Sequence, residues 1–178
     1  GRAIGFDWVD RNKDQEITAD EWSARLQDLE KFRAQYDTHG VLGIRLDCEG
    51  VVDDEKIRTL ATRDIPEVPS PLCHDNYLYF VKNGGFITCI ELETGKRVYR
   101  LRTQGRGTHY ASPLIAGDRL FTTAGNGRIS VLTLGPNPEI LSINDMRERV
   151  YATPAIVDGT IYVRTHSDLF AFRKQVSQ

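Results

Sequence analysis

The sequence predicts a mainly β chain made of repeated small sheets, preceded by a short helical unit. Three observations carry that prediction. Ser70-Pro71-Leu72 recurs as Ser112-Pro113-Leu114 and again as Thr153-Pro154-Ala155. The following strand recurs in step, as Tyr77–Phe80, Arg119–Thr122 and Thr160–Val163. A third strand follows at the same offset, as Phe86–Cys89, Arg128–Val131 and Leu169–Phe172. The offset is about 42 residues and then about 41. Short apolar strands at that period mark a β-propeller, in which each repeat is one four-stranded blade. A blade cannot bury both faces alone, so blades must stack on one another.

Residues 1–40 differ from the rest. Trp22, Leu26, Leu29, Phe32 (or Arg33) and Tyr36 form one apolar stripe at helical spacing, and Gly40 closes the helix. From Val41 the pattern turns to strand. Val41–Leu46 and Lys56–Thr62 read as the last two strands of a preceding blade, with Cys48–Asp54 as their turn. The first complete blade reads as Val68–Cys73, Asn76–Lys82, Phe86–Glu91 and Lys96–Arg102. The second reads as His109–Ile115, Asp118–Ala124, Arg128–Leu134 and Glu139–Ile143. Asn83-Gly84-Gly85 and Gly125-Asn126-Gly127 supply the hairpin turns. The last blade has strands near Val150–Ile156, Thr160–Arg164 and Leu169–Phe172, and lacks its outer strand. Runs such as Tyr77–Val81 are apolar on both faces, which suits a sheet sandwiched between sheets. About three and a half blades are therefore expected at residues 41–178. A closed ring needs at least four, so the expectation is the C-terminal part of a longer propeller; the alternative is an open fragment with exposed edges.

The chain has 178 residues and a net charge of −2, with no basic excess to predict a nucleic-acid partner. Its apolar runs are too short to span a bilayer as helices. No signal peptide is visible, and the chain begins at Gly1. Cys48, Cys73 and Cys89 form no zinc spacing, and Cys89 stands where the next repeat has Val131, as a small buried residue would.

Asp10–Glu21 fits the twelve-residue EF-hand loop. Calcium demands oxygen ligands at loop positions 1, 3 and 5, a carbonyl at 7, a weak ligand at 9 and a bidentate carboxylate at 12. Asp10, Asn12, Asp14, Glu16 (through its carbonyl), Thr18 and Glu21 occupy those places. Ile17 is the apolar residue expected on a short strand between paired loops, with Phe6 and Val9 on the entering helix and Trp22 on the leaving one. Gln15 departs from the pattern, standing where a glycine normally supplies a positive φ, and no second loop is present. The reading is weak calcium binding, on the order of 10⁻⁴–10⁻³ M. The plain alternative is an acidic helix–turn–helix whose loop is usually empty. Together these readings give a partial β-propeller of about three and a half four-stranded blades, preceded at 1–40 by an EF-hand-like helix-loop-helix.

Cys89-Ile90-Glu91-Leu92-Glu93-Thr94-Gly95-Lys96-Arg97-Val98-Tyr99 resembles the A-x-D-x-x-T-G-x-x-x-W docking motif of the PQQ-like (quinoprotein/BamB-like) propeller family. The Ser-Pro-Leu starts, Asp75–Tyr79 and Val157–Val163 are also similar to that family. The resemblance covers about residues 41–172. It implies a bacterial, periplasmic or otherwise exported protein. Its leading functional implication is a non-catalytic binding or scaffold module, with a protein or small ligand at the propeller face or the rest of the propeller as partner. The alternative is part of a PQQ-dependent oxidoreductase whose active site lies mostly outside this segment. No blade keeps the Trp, only one keeps Thr-Gly, and no adjacent cysteines occur, which argues against PQQ held here. His109 and Arg149, just before inner strands, are candidates to face a central channel; the plain reading is a repeat position with no chemistry. No catalytic constellation can be assigned from spacing.

Overall fold

The computed structural model describes residues 6–37, 40–47, 50, 52 and 54–173. The chain divides into two compact units, Gly1–Gly40 and Val41–Gln178. Cys48 lies outside the described residues.

In the first unit, helix α1 (Phe6–Val9) leads through an irregular loop into α2 (Ala19–Asp37). The start of α2 is set by Thr18. Its hydroxyl accepts from the Glu21 amide at 3.2 Å, and the Glu21 carboxylate accepts from the Thr18 amide at 3.0 Å. This reciprocal capping box satisfies two amides that the first turn leaves without helical partners. The Arg11 guanidinium pairs with Asp28 on α2. Trp22, Leu26 and Leu29 of the predicted stripe are exposed. Ile17 belongs to no strand.

The second unit is four antiparallel sheets. The first pairs β1 (Val41–Ile44) with β2 (Ile57–Ala61). The second runs β3 (Leu72–His74), β4 (Tyr77–Lys82), β5 (Phe86–Glu91), β6 (Arg97–Arg102) in spatial order. The third repeats it with β7 (Leu114–Ala116), β8 (Arg119–Thr123), β9 (Arg128–Thr133), β10 (Ile140–Asp145). The fourth has β11 (Ala155–Val157), β12 (Thr160–Arg164) and β13 (Leu169–Arg173), three strands among the described residues. This is the partial propeller that the period predicts.

Strand alternation explains why β4 is apolar from Tyr77 to Val81. Leu78 and Phe80 pack with Ile90 against Val41 and Leu60 of the first sheet. Tyr79 and Val81 point the other way and join Ile87 and Cys89 against Leu120 and Leu132 of the third sheet. One sheet further on, Phe121 and Ile129 meet Ile161 and Val163 of the fourth. Fully burying each such side chain contributes roughly 1.5–3 kcal/mol, and neither face of an inner sheet can be left in water.

The inner strands β3, β7 and β11 are three residues long, shorter than the sequence suggests. The Ser/Thr-Pro pairs explain this. Proline has no amide to donate to a ladder. The residue before it turns away from its own sheet: Ser70 donates its amide to the Ser112 hydroxyl at 2.9 Å, and Ser112 donates to the Thr153 hydroxyl at 2.9 Å. The recurrent hydroxyl is thus a tie from each sheet to the next.

Pairing also corrects the alignment of the third repeat. Thr123 pairs with Ile129, and Arg164 pairs with Leu169. Leu169 is therefore equivalent to Ile129, not to Arg128 as the sequence pattern suggests. The fourth sheet's hairpin is one residue out of step with the simple period. Cys89, Val131 and Ala171 then share one position, as do Ile90, Leu132 and Phe172.

Candidate functional site

The acidic loop is built by two short-range devices. Its amides turn inward onto its own side chains: Asp14 donates to Asn12 Oδ1 at 3.0 Å, Glu16 to Asp14 Oδ1 at 2.8 Å, and Gln15 to Asp10 Oδ2 at 3.0 Å. The turn itself needs left-handed backbone, at Lys13 (φ 62°) and Gln15 (φ 74°). Gln15 therefore adopts the conformation the pattern demands of a glycine, at a cost of about 1 kcal/mol. Glu21 closes the loop from α2. One of its oxygens accepts from the Arg11 amide at 3.0 Å, the other from the Thr18 hydroxyl at 2.9 Å. These bonds, led by the Thr18 amide, lower the Glu21 pKa below its ordinary 4.5.

Asp10 is the odd member. It is 3 % exposed, its Oδ2 is taken by the Gln15 amide, and its Oδ1 is buried without a hydrogen-bond partner. A carboxylate oxygen desolvated in this way is costly unless a proton or a cation compensates it. Asn12 and Asp14 are joined through the Asn12 amide nitrogen at 2.8 Å. Among the described residues, no group of three or more His, Cys, Asp or Glu is gathered closely enough to hold a metal ion. Glu21 is engaged with loop amides, so the six predicted ligand residues share one loop without forming a finished cage.

The inner-strand candidates separate. His109 is 1 % exposed and sits at the position of Val150 in the next repeat, which is also fully buried. Its amide donates to Asn83 Oδ1 at 2.7 Å, and its Nδ1 lies 3.3 Å from the Gly107 carbonyl. Burial lowers its pKa below 6.5, so the ring is neutral. His109 is a core residue at a sheet junction and does not face an open channel. Arg149 is exposed and lines a recess of about 240 Å³ together with Tyr151, Arg164, Thr165 and His166. Tyr151 meets Tyr110 of the preceding repeat edge-on, with ring centroids 5.2 Å apart.

This cationic recess was missed in the sequence, although a signal was present. Arg149, Arg164 and His166 stand where the second complete blade has Thr108, Thr123 and Gly125. Three small residues become two arginines and a histidine at one place. Glu148 lies beside them, its pKa lowered by the Thr165 hydroxyl, the Ser167 amide and His166.

The docking-motif residues form a local turn. The Thr94 hydroxyl donates to the Glu91 carboxylate at 2.6 Å, Gly95 takes φ 70°, and Tyr99 packs into the cluster shared with the third sheet. Cys89 is buried beside Tyr79, and burial pushes its thiol up to about 11, so it is an inert packing residue. Cys73 is free and exposed.

No family model and no curated protein matches the chain. Solved structures do. The computationally designed Ika8 protein superposes with a TM-score of 0.54 at 16 % identity, over 66 % of this chain and 37 % of that one. The β-propeller domain of Cps50 (Swd1) from Myceliophteria thermophila gives 0.51 at 13 % identity, over 59 % and 39 %. BamB from Moraxella catarrhalis gives 0.48 at 23 % identity, over 57 % and 32 %. The chain thus spans 32 % of the length of the BamB chain and 39 % of the Swd1 chain it matches. The Swd1 likeness, at its low identity, is one of propeller fold. No helix among the described residues is long and apolar enough to cross a membrane.

Proposed function

We propose that the sheets of residues 41–178 serve as a non-catalytic propeller scaffold or binding module, and that the loop Asp10–Glu21 holds calcium weakly. The observation that carries the calcium reading is the buried, unpartnered Oδ1 of Asp10 in a loop whose sixth residue is already left-handed. Asp10, Asn12, Asp14, the Glu16 carbonyl, Thr18 and Glu21 would be the oxygen donors, and all are of the hard type calcium selects. Binding must exchange some Glu21 and Asp14 hydrogen bonds to loop amides for contacts with the ion. With that exchange and the strain at Gln15, the affinity expected is about 10⁻⁴–10⁻³ M, as in extracellular modules. The bound ion would join α1 to α2 and would not act as a signal.

The scaffold reading rests on the propeller fold of the sheets. The docking-motif resemblance supports a PQQ-like repeat in an exported bacterial protein, a compartment where weak calcium sites can fill. The partner would be a protein or small ligand at the propeller face, or further blades of the same propeller. The test is a calcium titration followed by Trp8 and Trp22 fluorescence and by calorimetry. Saturation near millimolar calcium is expected, and Glu21→Gln should abolish it. An unchanged wild-type protein at about 10 mM calcium would refute the loop assignment.

A further inference from the structure

An apolar cavity of about 250 Å³ lies between the third and fourth sheets. Phe121, Ile129, Met146, Ile161, Val163 and Phe172 are among its walls, and Asn144 is its one polar lining residue. No charged side chain lines it. At the interface one step earlier, between the second and third sheets, the equivalent place is filled by side chains, and strand pairing shows which. On β6, Tyr99 is opposite Cys89 and Leu101 is opposite Ile87. On β10 the equivalent places, opposite Val131 and Ile129, hold Ser142 and Asn144. Tyr99 and Leu101 pack into the apolar cluster of the earlier interface. At the later one a phenol ring and an isobutyl group are replaced by two short polar side chains.

We infer that this cavity is a binding site for a small uncharged aromatic molecule with one hydrogen-bonding group, of the size of a phenol. The size follows from the side chains the repeat omits there. The walls of aromatic, aliphatic and thioether groups offer dispersion contact, and the cavity opens to solvent past the exposed Asn144 and Phe172. A ring that leaves water for these walls gains apolar burial, and about 250 Å³ admits one ring with a small substituent. Asn144 makes only a long 3.4 Å bond from its amide nitrogen to Ser142. Its carbonyl can therefore accept from a ligand hydroxyl. A carboxylate or phosphate is excluded, because no cation is present to offset its desolvation.

Met146 is the single methionine of the chain and lies in the cavity wall, so a ¹³C-methyl methionine label gives one resonance reporting on this site. The 178-residue chain is titrated with p-cresol. A saturable shift of that resonance is expected, with a Kd on the order of a millimolar or tighter. Toluene should bind about 2–10-fold more weakly, the loss of one neutral hydrogen bond. Benzoate should produce no saturable shift. The double variant Ser142→Tyr/Asn144→Leu restores the residues of β6 and should remove the p-cresol response. The inference fails if p-cresol leaves the Met146 methyl unmoved up to its solubility. It fails equally if benzoate binds as well as p-cresol, or if the folded double variant responds as the wild type does. The p-cresol and benzoate arms need only the wild-type chain, so a double variant that does not fold leaves the inference testable.

Discussion

His109→Val puts into a buried seat the side chain that the next repeat carries there. His109 is 1 % exposed, its Nε2 has no partner, and burial holds its pKa below 6.5. At about pH 8 both folded and unfolded rings are neutral, and only packing and hydrogen bonding distinguish the variant. The valine forgoes the bond to the Gly107 carbonyl, about 1 kcal/mol, and leaves a gap a few heavy atoms wide. It also removes a buried unsatisfied nitrogen, which costs roughly 1–3 kcal/mol. These effects oppose each other, so the change at about pH 8 should stay within about 1 kcal/mol. Acidification separates the two proteins. As pH falls through 6.5 the unfolded wild-type ring gains a proton while the folded ring does not. The unfolded state then binds more protons, and wild-type stability drops with a slope approaching ~1.4 kcal/mol per pH unit until the folded ring also titrates. The variant lacks this component. Urea unfolding followed by circular dichroism, between about pH 8 and about pH 5, should show the variant gaining on the wild type as pH falls. Parallel pH profiles would show that His109 is not buried neutral. A loss above about 3 kcal/mol at about pH 8 would show that it does not share the seat of Val150.

Three further outcomes are expected. Gly127→Ala should destabilise by more than ~3 kcal/mol, because φ is +89° and a Cβ would stand 2.0 Å from the Glu148 carbonyl oxygen; Gly117→Ala, at φ +58° with nothing within 4 Å, should cost only about 1 kcal/mol. Thr153→Val removes the acceptor of the Ser112 amide and should lower stability by about 0.5–1.5 kcal/mol in thermal melts, whereas Thr153→Ser should not. Ser142→Tyr/Asn144→Leu should raise stability, since filling roughly 100 Å³ of cavity at about 24 cal/mol per Å³ gains about 2 kcal/mol; a lower Tm would mean that the space cannot accept the ring.

The blades were legible because their signal is periodic and local. Apolar strands joined by Gly-rich hairpins recur whether or not any single position is conserved in type. In sequence, Ser-Pro reads as the start of a strand and lengthens the inner strands, whereas Ser70 and Ser112 spend their amides on the neighbouring sheet. The one-residue slip at Leu169 was invisible because Leu169-Phe170-Ala171-Phe172 is apolar in either register. Only the pairing of Arg164 with Leu169 decides it. In the acidic loop, residue types and order were legible, but the posture of Glu21 was not. The same carboxylate suits an ion at loop position 12 and a cap at the third residue of α2, and the structure shows it capping. The place of His109 just before an inner strand points it to a channel; its equivalence to the fully buried Val150 is the better guide. The cavity and the cationic recess arise from departures between repeats, which a search for what repeats passes over.

Position in the stack, more than residue type, decides burial in these sheets. Tyr79 and Tyr162 occupy one repeat position on equivalent strands, yet Tyr79 is 0 % exposed and Tyr162 is 39 % exposed. Ile87 and Leu169 share another, at 1 % and 69 %. The difference lies in what covers them. Leu120, Leu132 and the Gly135 amide, which donates to the Tyr79 hydroxyl at 3.1 Å, come from the following sheet. Each sheet therefore completes the core of the one before it and contributes the acceptor for its Ser-Pro amide. An array built this way gains stability mainly at its interfaces, and a change on a covered face is felt by two sheets at once. That is why the exchange of Tyr99 and Leu101 for Ser142 and Asn144 matters. It alters a junction that the repeat otherwise fills, and it does so without disturbing the ladder that carries those residues.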